Sequence, residues 1–151
     1  MADTPYTVRR LAAVAGLAAV AALLTGCSGT IVENEAPAAD YGCIDDSKQC
    51  IDQRQAVLRQ LVADKSRKWI KEPATTGSYA TGVRMFAFKT EKQRLTCDEL
   101  AAGRREADAA PGALRGPSAK NLPPAIVSRG VMFAGEVSKE LAKEAQRRCR
   151  A

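Results

Sequence analysis

Apolar residues recur along this chain mostly at three- and four-residue spacing, which is the helical period rather than the alternation of a strand. Ile51, Leu58, Leu61, Val62, Trp69 and Ile70 form the first series, with Arg54, Arg59, Asp64 and Lys68 largely on the other side. Asp45-Asp46-Ser47 precedes it with capping oxygens and acidic charge suited to a positive helix end, and Pro73 stops it. A weaker segment runs from about Ser78 to Lys92, where Tyr79, Val83, Phe86 and Ala87 fit one helical face. Val83 to Phe88 also reads as a short strand, but no partner strand is visible, so helix is the expectation. Thr96-Cys97-Asp98-Glu99 is a capping box that opens a third helix through Leu100 and Ala107 to Pro111-Gly112. A loop over Gly112–Leu122 follows, with Gly116-Pro117 at its centre. Pro123-Pro124 then leads into the longest helix, which ends near Cys149. Its stripe is Ile126, Val127, Val131, Ala134, Val137, Leu141 and Ala145, and the small residues Gly130 and Ala134 would let another helix approach closely.

Four helices without a convincing strand predict a small all-α, bundle-like domain over residues 43–151. The preceding residues are of a different kind. Arg9 and Arg10 are followed by an uncharged Ala/Leu/Val stretch of 14 residues, Leu11 to Leu24, and a small-residue exit at Thr25-Gly26. As a helix that stretch covers about 21 Å, short of the roughly 30 Å hydrocarbon core. It therefore reads as a cleaved signal peptide over 1–26, with an uncleaved anchor helix as the alternative. Ser28 to Gly42 has no apolar periodicity and reads, with Cys27, as a tether whose r.m.s. reach is about 20 Å.

Leu24-Thr25-Gly26-Cys27 resembles the lipobox of bacterial lipoproteins. The resemblance implies a diacylglyceryl group on the Cys27 thiol, cleavage before Cys27, and acylation of the freed amine. Two or three acyl chains hold a protein stably where one holds it reversibly, at about 0.8 kcal/mol per buried CH₂. The resemblance ends there and says nothing of the domain. Leu-Ala-Ala after Arg9-Arg10 is a poor twin-arginine match, so general secretion is expected. Ser28 in place of an aspartate implies, by the enteric sorting pattern, the outer membrane at its periplasmic face, with the inner membrane as alternative.

With Cys27 assigned to lipid, Cys43, Cys50, Cys97 and Cys149 remain, an even number that predicts two disulfides in an oxidising compartment. Three pairings are possible. If the third and fourth helices are antiparallel, Cys97 lies beside Cys149, and Cys43 is left to close a short loop with Cys50. A Cys97–Cys149 bridge would close a loop of about 53 residues, worth about 4 kcal/mol in the chain-entropy model. No histidine and no C-x-x-C occur, so metal, redox and cofactor chemistry are not expected.

The net charge of +6 is unevenly placed. Residues 28–64 sum to −4, residues 65–95 to +6 and residues 96–151 to +3. Lys65-Ser66-Arg67-Lys68-Trp69-Ile70-Lys71 is the stretch most open to a functional reading. Lys65, Arg67, Lys68, Trp69 and Lys71 could contact anionic headgroups, an acidic glycan or an acidic protein, at about 1 kcal/mol per charge near an anionic surface. The bland alternative is a solvated face with Trp69 in the core. Arg147-Arg148-Cys149-Arg150 is a second basic cluster, and Arg84 and Lys89 read as surface charge beside core aromatics. Asp45-Asp46 and Asp98-Glu99 are explained by helix capping, and no serine lies in G-x-S-x-G. A non-catalytic envelope protein that docks a protein or glycan partner is therefore expected. A binding or inhibitor module for an acidic ligand, and a carboxylate-based cell-wall hydrolase, are the alternatives. Nucleic acid is not an expected partner, because aromatics are few and no binding module is visible.

Overall fold

A computed structural model describes residues 43–149. Cys27, the signal segment and the tether lie outside the described residues. The described part is all-α, as the periodicity predicts, with five α-helices where four were expected: α1 (Lys48–Ala63), α2 (Thr76–Thr81), α3 (Val83–Glu91), α4 (Cys97–Arg115) and α5 (Pro124–Arg148). Short 3-10 turns occupy Lys68–Ile70 and Pro117–Ala119.

The starts of the helices follow the local chemistry. The Ser47 hydroxyl accepts from the Cys50 amide at 3.3 Å, and Asp45 accepts from the Ser47 amide at 2.8 Å. At α4, Thr96 Oγ1 accepts from the Glu99 amide at 3.2 Å while Glu99 accepts from the Thr96 amide at 2.7 Å. The ends depart from expectation in three places. First, α1 stops at Ala63 rather than at Pro73. The Asp64 carboxylate accepts from the Ser66 amide at 2.9 Å, the Ser66 hydroxyl at 2.6 Å and the Lys68 amide at 3.1 Å, offering the backbone an alternative to the helix. Second, the segment 78–92 is two helices, because Gly82 at φ +72° ends α2 and starts α3. Third, α4 continues through Pro111 to Arg115. An interior proline costs about 3 kcal/mol. Leu114, which lies beyond it and is fully buried, returns about 1.5–3 kcal/mol, and Ala110 is buried beside it.

The core lies mainly between α4 and α5, with α2 and α3 laid across them and α1 packed on α3. Of the expected α5 stripe, Ile126, Ala134, Val137 and Leu141 are buried, joined by Gly130. Gly130 serves the close approach expected of it, since an added Cβ would sit 2.6 Å from Leu114 Cδ1 and 3.3 Å from the Tyr79 carbonyl oxygen. Gly103 plays the matching part on α4. Its missing side chain leaves the notch that the Phe88 ring fills, 2.6 Å from where a Cβ would stand. Cys97 is bonded to Cys149, joining the start of α4 to the end of α5, and Cys43 is bonded to Cys50.

On α3 the expected face is rotated. Tyr79, Val83 and Ala87 are buried, but Phe86 is 48% exposed and stacks on Phe133 at 4.2 Å between centroids. Met85 and Phe88 take its place inside, and so does Arg84, which is 1% exposed rather than at the surface. Among the described residues no helix is long and apolar enough to cross a membrane.

The notch at Gly103 gives a stability test. Gly103→Ala gains about 1 kcal/mol of helix propensity but drives a methyl into Phe88 and Leu141. A net loss of about 1–2 kcal/mol in urea unfolding is expected. Gly112→Ala, which meets nothing within 4 Å, should stabilise instead.

Candidate functional site

The segment after α1 is built from the inside out. Trp69 is 3% exposed, donates its indole N–H to the Leu61 carbonyl at 3.1 Å and packs edge-on against Phe88 at 4.7 Å. It is therefore the root of this segment and takes no part in its surface. The Arg84 guanidinium lies 5.9 Å from the Trp69 ring centroid. Arg84 Nε donates to Glu106 at 2.8 Å, its second nitrogen also meets the Glu106 carboxylate, and it donates to the Glu72 carbonyl at 3.0 Å. Burial pushes the Glu106 carboxyl up, while the bonds and charge of Arg84 pull it down. The pair thus ties the chain after Trp69, at Glu72, to α3 through Arg84 and to α4 through Glu106.

Arg67 is the outer fastening. It is the one non-glycine residue at positive φ, +48°, among the described residues, a conformation that costs about 1–2 kcal/mol for an L side chain. Its guanidinium reaches Glu99 at 3.2 Å, at the start of α4, and Glu91 at 3.8 Å, at the end of α3. Glu91 also meets Arg94 at 3.1 Å. Of the predicted contact residues, Arg67 and Trp69 are thus committed to holding the turn together. Lys65, Lys68 and Lys71 are exposed, and none forms an ion pair within the described residues. Three neighbouring acids are used otherwise: Asp64 accepts from its own turn, and Glu91 and Glu99 meet Arg67.

The second basic cluster lies near the same end of the domain. Arg148 donates to the carbonyls of Lys92, Gln93 and Leu95 at 3.2, 2.9 and 3.0 Å, closing the exposed end of α3. Arg147 pairs with Glu144 at 2.6 Å. The opposite end carries the point where the chain enters the domain. There Arg129, near the start of α5, meets Asp46 at 2.7 Å and the Ile44 carbonyl at 3.1 Å, and Arg54 donates to the Asp45 carbonyl at 2.6 Å.

Of the acidic pair at the start of α4, Glu99 is in structural use. Glu99 is shared by the Thr96 amide and Arg67, and Asp98 stands exposed in the first turn of α4. Cys43, Asp45 and Cys50 cluster closely enough to suggest a metal site. Its two sulfurs are joined to each other, however, and offer no thiolate. Sequence reasoning missed the Arg84–Glu106 pair, because an arginine beside aromatics reads as surface. Comparison with known families, curated proteins and solved structures finds no match for this chain.

Two measurements test this construction. Glu106→Gln removes the carboxylate that meets the buried Arg84 charge and should cost about 3–5 kcal/mol in urea unfolding. Arg84→Met with Glu106→Leu removes both charges and should cost less than that single change. At the turn, the Ser66 hydroxyl foremost holds the Asp64 carboxyl below its ordinary 3.8, with burial opposing and backbone amides assisting. A carboxyl lowered on folding contributes stability above its unfolded value and loses it as pH falls through the folded one. The Ser66 and Lys68 amide resonances should therefore shift with a midpoint below 3.8, a transition that Asp64→Ala abolishes.

Proposed function

We propose that this chain is a lipid-anchored, non-catalytic docking module of the bacterial cell envelope. The observation that carries the reading is the agreement between Leu24-Thr25-Gly26-Cys27 and the use of the other sulfurs. Of five cysteines, four are joined as Cys43–Cys50 and Cys97–Cys149, which leaves Cys27 for the lipid. Disulfides belong to oxidising compartments, consistent with export behind a signal peptide. Placement at the periplasmic face of the outer membrane is the reading that Ser28 supports, with the inner membrane as its alternative.

A docking role is supported by the assignment of the titratable groups. The acids that a carboxylate hydrolase would call on, Asp98 and Glu99, sit in a helix cap, and Glu99 is held there by Arg67. Lys65, Lys68 and Lys71 are exposed and carry charge without an ion pair among the described residues, which suits contact with an acidic partner. A second reading, capture of an acidic glycan or enzyme by charge alone, draws on the same lysines. Salt separates the two: partners held at high ionic strength indicate specific docking, and partners lost at modest salt indicate charge-driven capture.

The anchoring is tested by growth with labelled palmitate. Label should enter the wild-type chain and be absent from Cys27→Ala, and equal labelling of both would remove the basis of the proposal. Turnover of purified cell-wall material that is lost on changing Asp98 or Glu99 would overturn the non-catalytic reading.

A further inference from the structure

The two disulfides stand in different electrostatic surroundings. Cys97–Cys149 joins the start of α4 to the end of α5, and Cys149 packs against the hydrophobic core. Among the described residues no cation is hydrogen-bonded to either of its sulfurs, and Asp98 and Glu99 follow Cys97 directly. Cys43–Cys50 lies outside that core cluster and spans seven positions of sequence. Arg54 fills the loop it closes. Its Nη1 lies 3.2 Å from Cys50 Sγ and donates to the carbonyls of Cys43 at 3.2 Å and Asp45 at 2.6 Å. The Arg54 side chain is 16% exposed, so its charge is weakly screened. Cys50 is buried in the first turn of α1, where the positive end of the helix adds to that charge. Cys43 is only half-buried, and its sulfur meets a neutral group, the Gln53 side-chain oxygen, at 3.3 Å. Two carboxylates oppose Arg54: Asp45, within 4.8 Å of both sulfurs, and Asp46, 3.5 Å from the guanidinium. Both are exposed, Asp45 accepts from the Ser47 amide, and Asp46 is shared with Arg129.

From this geometry we infer that Cys43–Cys50 is a thiol-exchange site, opened by a dithiol that attacks Cys43 while Cys50 departs. The chain is then the electron acceptor of the exchange and not its catalyst, which fits its lack of C-x-x-C. The more accessible sulfur is the one a nucleophile reaches. The sulfur beside the cation is the better leaving group, because exchange quickens as the departing thiolate is stabilised. One thiol of the dithiol loses its proton to solvent and bonds to Cys43 Sγ. The S–S bond breaks, and its electron pair leaves on Cys50 as a thiolate beside Arg54. The second thiol, also deprotonated, then attacks the first sulfur of the dithiol and releases Cys43, which takes up a proton. Two electrons have passed from the dithiol, now a disulfide, to the bridge. The opened loop keeps its shape through the Arg54 bonds to two carbonyls and through Arg129, which holds Asp46 and the Ile44 carbonyl. The sulfurs therefore stay close, and the bridge reforms when the reverse exchange is favoured. Cys97–Cys149 remains as the permanent brace. The inference uses the described residues alone and does not depend on lipid at Cys27.

The test follows both bridges in one sample. The full chain in nonionic detergent is incubated with dithiothreitol or with reduced glutathione, quenched rapidly with acid, alkylated and mapped by mass spectrometry. Dithiothreitol should open Cys43–Cys50 at least about tenfold faster than Cys97–Cys149. Glutathione should be trapped on Cys43, with Cys50 free. Arg54→Gln should slow the opening about three- to tenfold, and Arg54→Lys should keep most of the rate. Loss of the Arg54 hydrogen bonds also loosens the loop, which by itself hastens reduction, so a structural role and a charge role have opposite signs. Equal or faster opening in Arg54→Gln would overturn the inference, as would glutathione on Cys50 or equal rates for the two bridges. The Cys97–Cys149 rate reports whether each variant is folded, and the position of glutathione in the unsubstituted chain tests the inference without any variant. Cys27→Ala should exchange at the wild-type rate, so failure of the anchor leaves this result standing.

Discussion

The Arg84–Glu106 pair is the constraint on which the surface of this domain depends. An arginine with almost no exposure sits among apolar side chains, where Glu106 meets its charge and the Glu72 carbonyl takes another of its hydrogens. Such a pair is weak evidence for stability, since desolvation of both groups offsets their attraction. Its consequence is positional. By binding Glu72 and lying over Trp69, Arg84 fixes the strand of chain that follows α1 against α3 and α4. It adds to the hold that the Trp69 indole bond to Leu61, the Asp64 hydrogen bonds and Arg67 already give the turn.

From that fixed root the distribution of charge follows. The segment 64–72 contains two acids and four bases, so some cations must stay unpaired locally. Which ones do is decided by reach. Arg67 crosses to Glu91 and Glu99 and ties three elements together, while Asp64 turns back on its own amides. Lys65, Lys68 and Lys71 are left to solvent on a turn whose backbone is held at several points. A positive surface arises here as the remainder of a structural assignment. Asp64, one of the two acids of the segment, is spent on making the turn rigid.

The long pair α4 and α5 supplies the frame. The Cys97–Cys149 bridge joins the start of one to the end of the other, and Gly103 and Gly130 let Phe88 and Leu114 enter where a methyl group would collide. Removal of a native disulfide from a small exported domain typically costs about 2–5 kcal/mol. That is a large share of the stability such a domain can have. The frame also sets polarity: antiparallel helices of similar course place the entering chain at one end and the cationic turn at the other.

Much of this was readable in the residues themselves wherever the cause is local. The all-α class follows from apolar spacing. The starts of α1 and α4 follow from Ser47 and from the Thr96–Glu99 box, and the close approach at Gly130 from its missing side chain. The two helix starts depend on groups within four residues of one another, so the sequence determined them, whereas for Gly130 it supplied the missing side chain and the fold supplied Leu114 and Tyr79 as its neighbours. Helix ends were less legible, because they are decided by competition. Asp64 wins the backbone from α1, and burial of Leu114 carries α4 past Pro111 against its own propensity. The burial of Arg84, the exposure of Phe86 and the commitment of Arg67 belong to tertiary structure alone. Each depends on a partner between 22 and 47 positions away, and no periodicity encodes which of two adjacent residues will face it.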